Sequence, residues 1–490
     1  MPELIERPCD YPECKMTVLS YNARCVWCHQ IWCHEHIKQD CHKCASAQRV
    51  DNYDERLAEL QRIQEVADAE ELTRLLSQVR LNSAVFIEQA QELRPNRTCT
   101  MSIPPDYQTL KTSKWFAYCN VHFLITFDDG VKWLLRVRQN RSHRLPTALT
   151  TPVIKSEVAT LMLLKSKGVP VPAAYLPPHL REKNDAQNMT DLDYFFYEYI
   201  SGIPLHLPFK GYFSEIDLPE DQLEGFIEEY CKIKIQLSNL HLPYSKLGCI
   251  YPSGEGITEV GPIVSLGCFM NPTSPHFMGP FTTYKEMMLA KIDAALRYVK
   301  VNALQGGYTV DEYLWHLEMR ELVAASKVLI AIPTELFIKH NDSKGDEMMV
   351  NEDGKIIGII DWEWAYVTTK SDAFSTPHFF NRTFAYMKGS NSLSHAEDLL
   401  IECYKRHGRD DLAECVKEGK LYLRMERIGY YDPAFTKSGF REVFGEDVPK
   451  DFNPPDDDAG WRKYMLKRYE HDQTLKEVID KYGTKQELAL

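Results

Sequence analysis

The stretch from Leu336 to Trp364 constrains this chain most. It reads Leu336-Phe-Ile-Lys-His340-Asn-Asp342-Ser-Lys-Gly-Asp-Glu347-Met-Met-Val350, then Asn351-Glu-Asp-Gly354, then Lys355-Ile-Ile-Gly-Ile-Ile-Asp361-Trp-Glu-Trp364. In physical terms this is a loop carrying an acid, a short apolar strand, a turn, a second apolar strand, and an acid at its end. Two acids delivered by adjacent strands can meet within reach of one divalent cation. Phosphoryl transfer needs such parts. One carboxylate orients the acceptor hydroxyl and takes its proton, while another, on a rigid strand end, holds the magnesium that neutralises the transferring phosphates.

The remainder of the 490 residues separates by texture, and the length suits two to four domains. Residues 1 to about 48 are rich in Cys and His. Residues about 50 to 94 look helical, with Leu57, Leu60, Ile63, Ala67, Leu72, Leu75, Leu76 and Val79 at helical spacing, and Pro95 ends the run. Asp68-Ala-Glu-Glu71 reads as a capping box that restarts the helix. From about 110 to 200 the pattern becomes strand-like. Val121–Phe127 and Lys132–Arg138 flank Asp128-Asp-Gly130, a hairpin signal. The part beyond 203 is mainly helical.

A formal charge of −13 makes a broad nucleic-acid surface unfavourable. No run approaches the roughly 18 apolar residues of a membrane span. The charged start Met1-Pro-Glu-Leu-Ile-Glu-Arg7 has no apolar stretch, so cytosol or nucleus is the expected compartment.

In such a reducing compartment clustered cysteines mean metal before disulfides. Seven of the 14 cysteines fall within the first tenth of the chain. Six of them with two histidines give Cys9-x4-Cys14-x10-Cys25-x2-Cys28-x4-Cys33-x2-His36-x5-His42-x-Cys44. Eight soft or borderline ligands in close pairs suit two tetrahedral zinc ions. So short a segment buries little apolar area, so metal binding must supply most of its folding free energy, about 10 kcal/mol or more per ion. Cys41, His29 and His34 are left over, and Cys41 competes with His42 for a place.

The spacing resembles the AN-one-type zinc finger. That resemblance implies cross-bracing, with Cys9, Cys14, Cys33 and His36 on one ion and Cys25, Cys28, His42 and Cys44 on the other. It also implies a protein partner for the module.

His340-Asn-Asp342 and Ile360-Asp-Trp-Glu-Trp364 resemble the H-x-D-(x4)-N catalytic loop and the metal-binding strand of aminoglycoside phosphotransferase and choline kinase-like enzymes, fungal members especially. The likeness spans roughly residues 100 to 400. It implies an α+β, bilobal protein kinase-like fold, with a small β-rich lobe at 96–200 and a helical lobe at 201–490. The finger (1–48) and an amphipathic helical linker (49–95) precede it. It further implies ATP and Mg2+ as cofactors beside the two structural Zn2+, and a small-molecule hydroxyl as acceptor.

By the same resemblance Asp342 is the catalytic base, Asp361 the main magnesium ligand, and His340 a prop of the loop. Arg136 is the phosphate-binding basic residue, with Arg138 as rival, and Glu157 is the helix glutamate that positions it. Tyr197-Glu198-Tyr-Ile200 would present backbone groups to an adenine edge.

Three departures from the family pattern bear on activity. The second metal ligand is Glu347 where the family has Asn. The phosphate-covering turn, Trp115-Phe-Ala-Tyr-Cys-Asn120, is bulky and lacks Gly. The loop has Asn341 and Ser343 where Gly and Leu are usual. Three functional readings follow: an ATP-dependent phosphotransferase, a catalytically impaired pseudokinase-like scaffold, and an adaptor working through the zinc finger.

Overall fold

The computed structural model describes residues 6–8, 17–19, 53–117, 119–139, 147–181, 190–209, 215–254, 258–264, 277–301, 308–381 and 383–482. They form a mixed helix and sheet structure that divides into two compact units. One comprises residues 1–154 and 174–199, the other residues 155–173 and 200–490.

In the first unit a small antiparallel pair, β1 (Glu6–Pro8) and β2 (Thr17–Leu19), precedes two helices, α1 (Tyr53–Leu81) and α2 (Ser83–Leu93). Its main sheet is antiparallel and has five strands in the order β3 (Cys99–Met101), β4 (Asn120–Phe127), β5 (Lys132–Arg138), β7 (Tyr194–Glu198), β6 (Ala174–Tyr175). The expected hairpin is present, with Phe123 opposite Leu135 and Ile125 opposite Trp133. Its turn needs a positive φ, which Gly130 supplies at +83°.

Alternate residues of a strand share a face. Val121, Phe123, Ile125 and Phe127 of β4 are therefore buried together with Trp133, Leu135 and Val137 of β5 and Tyr194 and Phe196 of β7. The helices complete this core: Leu72, Leu75, Leu76 and Val79 of α1, with Phe86 and Ala90 of α2, belong to the same apolar cluster. The part of the sequence periodicity at Leu72, Leu75, Leu76 and Val79 is thus the buried stripe of α1. The restart expected at Asp68 does not occur. The helix runs through it and breaks at Asn82, whose side-chain amide turns back to the carbonyl of Gln78 at 2.8 Å.

The second unit is mostly helical and carries three small sheets. A short pair joins β9 (Cys249–Pro252) to β10 (Thr258–Gly261). β11 (Phe337–Lys339) pairs with β14 (Tyr366–Thr368). The third sheet has the order β13 (Ile356–Ile359), β12 (Met348–Val350), β8 (Ile203–Pro204). Residues 166–172 belong to this unit through backbone and side-chain bonds, with Ile359 N donating to Pro170 O at 2.8 Å and Gln236 Nε2 to Gly168 O at 2.9 Å.

The C-terminal stretch beyond Pro433 is packed through residue 482. Trp461 and Met465 of helix Asp458–Arg468 are fully buried, and Arg462 forks onto Asp311 at 2.6 and 2.7 Å. Among the described residues no helix is long and apolar enough to cross a membrane.

Candidate active site

The segment 336–362 contributes strands to two sheets. The hairpin proper is β12–β13, closed by Asn351–Gly354. Gly354 sits at φ +76°, and the Asn351 side chain accepts from the amides of Asp353 and Lys355 at 3.1 and 2.9 Å. β11, which leads into the acidic loop, pairs instead with β14, so that Lys339 stands opposite Tyr366. The loop 340–347 is therefore slung between two sheets, and its shape depends on side chains.

His340 supplies one anchor. Its Nε2 lies 2.9 Å from the carbonyl of Ile360, and its ring meets the edge of Trp362 with centroids 4.8 Å apart. Donation from Nε2 to that carbonyl fixes the ring and ties the loop to the strand end that carries Asp361. Two residues beside these anchors take left-handed backbone, Asn341 at φ +64° and Asp361 at +65°. Asn and Asp tolerate this region better than other residues with a Cβ, because their short polar side chains bond locally. Asn341 thus meets this backbone requirement without glycine.

The second anchor is Glu347. It is buried, and its Oε2 accepts from the amides of Lys344 at 3.0 Å and Gly345 at 2.6 Å. Gly345 takes φ +107°, closed to side chains, and a Cβ there would come 3.1 Å from Leu207 Cδ1. Ile360 N donates to Glu347 O at 2.9 Å, which joins the loop again to the Asp361 strand.

Asp342 projects from the braced loop. Its carboxyl is pushed up to about 6, by burial first and by the nearby Asp361 charge, against the lowering effect of Lys344. Lys344 Nζ donates to Asp342 Oδ2 at 2.8 Å, and this lysine side chain is 63% exposed, so the bond is a movable cover. The Asp361 charge acts on Asp342 and raises its carboxyl. Among the described residues, however, Asp342, Glu347 and Asp361 do not form a set of three ligand atoms within 4.8 Å of one another.

Beneath the loop lies a charged group that sequence reading missed. Lys339 is buried, and its Nζ reaches Asp372 Oδ1 and Glu426 Oε1, each at 2.7 Å. The fully buried Asp372 also accepts from Tyr366, Thr368 and Tyr284 at 2.8, 2.9 and 3.2 Å. Burial raises the Asp372 carboxyl, but the Lys339 charge and these bonds outweigh it and hold it below the usual carboxylate range. Only its place in Thr369-Lys-Ser-Asp372, an N-cap and its first turn, could have drawn attention to Asp372.

The other expected site residues fall as follows. Arg136 and Arg138 are buried in β5 and Glu198 ends β7, all in the first unit. With the Asn120 amide oxygen turned towards it, Arg136 donates to that oxygen at 2.8 Å. Glu157 is buried on helix Thr147–Ser166, and it belongs to the second unit with Ile200. The Gly-free turn is held by its own backbone, with Ala117 N donating to Asn120 O at 3.0 Å and His122 N to Trp115 O at 2.9 Å. Cys9, Cys14, Cys25, Cys28, Cys33, His36, His42 and Cys44 lie outside the described residues.

No family model and no curated protein matches the sequence. The chain is similar to a solved ethanolamine kinase of Plasmodium vivax, with 11% identity and a TM-score of 0.42 over 79% of this chain and 86% of that one. It is similar also to a thermostable aminoglycoside phosphotransferase variant solved with AMP-PNP and hygromycin B, with 14% identity and a TM-score of 0.35 over 67% and 91% of the two chains. A macrolide 2'-phosphotransferase of Brachybacterium faecium gives 11% identity and a TM-score of 0.33, over 76% of this chain and 99% of that one.

Proposed function

We propose that this chain is a protein kinase-like phosphotransferase of the aminoglycoside phosphotransferase type, which moves the γ-phosphoryl group of ATP to a hydroxyl of a small molecule. The observation that carries the reading is Asp342. It is a largely buried carboxyl on a loop braced by His340 and Glu347, close enough to Asp361 for the two charges to interact. Asp342 is the base: it orients the acceptor hydroxyl and takes its proton, once Lys344 swings aside.

The oxygen-only donors Asp361 and Glu347 fit magnesium, a hard cation. Bound there, the ion would neutralise charge on the transferring phosphates. Asp361 would hold the ion from a strand end, and Glu347, whose Oε2 accepts from two loop amides, would supply the second carboxylate. Arg136, set by Glu157, is assigned to phosphate, and the backbone at Glu198 and Ile200 to the adenine edge. Residues 1–48 are assigned to an AN-one-type finger that holds two zinc ions and a protein partner, and 49–95 to the helical linker before the lobes at 96–200 and 201–490. Cytosol or nucleus is the assigned compartment.

A catalytically impaired scaffold is the second reading, favoured by two observations. Glu347 already serves two amides, and Lys344 already neutralises Asp342. Calorimetry with ATP and magnesium, followed by turnover of ATP, separates the two. The enzyme reading expects magnesium-dependent binding that Asp342→Asn retains, with turnover reduced at least about 100-fold. Binding without turnover in the wild type selects the scaffold. Turnover unchanged in Asp342→Asn removes Asp342 as base.

A further inference from the structure

Independent of the phosphotransfer reading, the second unit carries a group of soft ligands away from the acidic loop. Helices Glu220–Ser238 and His395–Arg406 pack against each other, and each turns two polar side chains towards the same spot. On the first, Glu228 and Cys231 are three residues apart. On the second, Cys403 and His407, which follows the last turn, are four apart. Both spacings bring side chains onto one helix face.

The Sγ atoms of Cys231 and Cys403 and a ring nitrogen of His407 lie within 4.8 Å of one another, the only such group among the described residues. Both thiols are buried, whereas His407 is exposed. A second observation fixes the point on which they converge. The Glu228 carboxylate accepts from Cys403 Sγ through Oε2 at 3.1 Å and bonds His407 Nε2 through Oε1 at 2.7 Å, so both ligand atoms aim at one carboxylate.

We propose that Cys231, Cys403, His407 and Glu228 form a zinc site that staples the two helices. Two thiolates and one imidazole are the donors that zinc prefers, and the carboxylate completes a tetrahedron. Zinc–sulfur and zinc–nitrogen bonds of about 2.3 and 2.0 Å make ligand–ligand edges of roughly 3.3–3.8 Å. The two thiols and the imidazole, within 4.8 Å of one another, therefore need to close by about 1.5 Å at most, which side-chain rotation provides. The reaction is an acid–base exchange without redox: Zn2+ and two thiols give the dithiolate complex and two protons to solvent.

Charge also balances. Two thiolates, one carboxylate and Zn2+ sum to −1, and Arg406, whose guanidinium lies 3.3 Å from Glu228, carries the compensating positive charge. Lys232, at 3.6 Å from the same carboxylate, adds to it. The exposed His407 edge is the entry path.

The test uses the full chain, purified with a reductant, exchanged into zinc and measured by native mass spectrometry. The double variant Cys231→Ser/Cys403→Ser should hold one zinc per chain fewer than wild type, because any zinc bound near the N-terminus is the same in both. Cobalt loading should give a wild-type-minus-variant spectrum with thiolate-to-metal charge-transfer and tetrahedral d–d bands. His407→Ala, at an exposed position, keeps the test alive if the double variant folds poorly, and it should weaken that one zinc by more than about tenfold. Equal zinc content in wild type and all variants overturns the site. So does a Cys231–Cys403 disulfide, seen as a loss of two hydrogens in mass, that forms with no zinc difference.

Discussion

Replacing Glu312 by Gln should reshape the acid stability of the second unit. Glu312 and His316 are both buried, one turn apart on helix Thr309–Ala325. His316 suits the neutral state: Nδ1 donates to the Glu312 carbonyl at 2.8 Å, and Nε2 accepts from Gly429 N at 3.2 Å. A second ring proton would face an N–H. Burial accordingly pulls the imidazole down to about 4, against a smaller opposing effect of its backbone bond. Burial alone pushes the Glu312 carboxyl up to about 7, and its Oε2 has no hydrogen-bond partner.

The two groups work in opposite directions. A depressed histidine adds stability that is lost as pH falls from its unfolded value, near 6.5, towards about 4. A raised glutamate adds stability at low pH that is lost as pH rises from 4.5 through about 7. Each slope approaches about 1.4 kcal/mol per pH unit, so between the ordinary values of 4.5 and 6.5 they nearly cancel.

Glu312→Gln leaves the histidine slope alone. Relative to wild type the variant should gain about 2–3 kcal/mol between pH 4.5 and pH 6.5. Urea unfolding of both proteins at half-unit pH steps measures this, with tryptophan fluorescence as the signal, since Trp315 stacks edge-on against His316 at 4.8 Å. A wild-type-to-variant difference that stays constant over that interval would refute the opposing-slope account.

Further expectations concern the braced loop and its support. Lys339→Met leaves Asp372 and Glu426 without their buried cation and should cost about 3–5 kcal/mol, read as a lowered midpoint in urea. Gly345→Ala forces a Cβ into a left-handed position against Leu207 and should lower stability by about 1–3 kcal/mol while impairing any ATP turnover. Glu347→Asn should report the role of that side chain: activity gained marks Glu347 as disabling, and activity lost marks it as a working ligand. Trp461→Ala should destabilise by about 3–5 kcal/mol, because the indole is fully buried and its N–H serves Glu318; a change below about 1 kcal/mol would show that the C-terminal helices are dispensable.

Elements with a short repeat were legible in the chain. The α1 stripe at Leu72, Leu75, Leu76 and Val79 and the β4–β5 hairpin appear as read, because helix and strand periods are written in consecutive residues. The apolar runs at Met348 and Ile356 likewise became paired strands.

Three features were not legible. The capping-box pattern at Asp68 lost to helix continuity, since a solvent-facing cap signal is weaker than the buried leucines that follow it. The partner of β11 was not legible, because a strand as short as Phe337–Lys339 pairs with whatever edge the fold brings beside it, and that edge came from Tyr366–Thr368. Lys339 and Asp372, 33 residues apart, looked like ordinary surface charges until burial joined them.

The sequence by itself determined which carboxylates sit on a loop and a strand end, because residue type and spacing set local conformation: Asn341 and Asp361 accept left-handed backbone, and Gly345 and Gly354 permit their turns. Tertiary structure alone decided how those groups are charged and braced. The rise of Asp342, the seating of Glu347 on two amides and the gathering of Cys231, Cys403 and His407 all depend on burial and on neighbours from distant segments, and a linear pattern encodes neither.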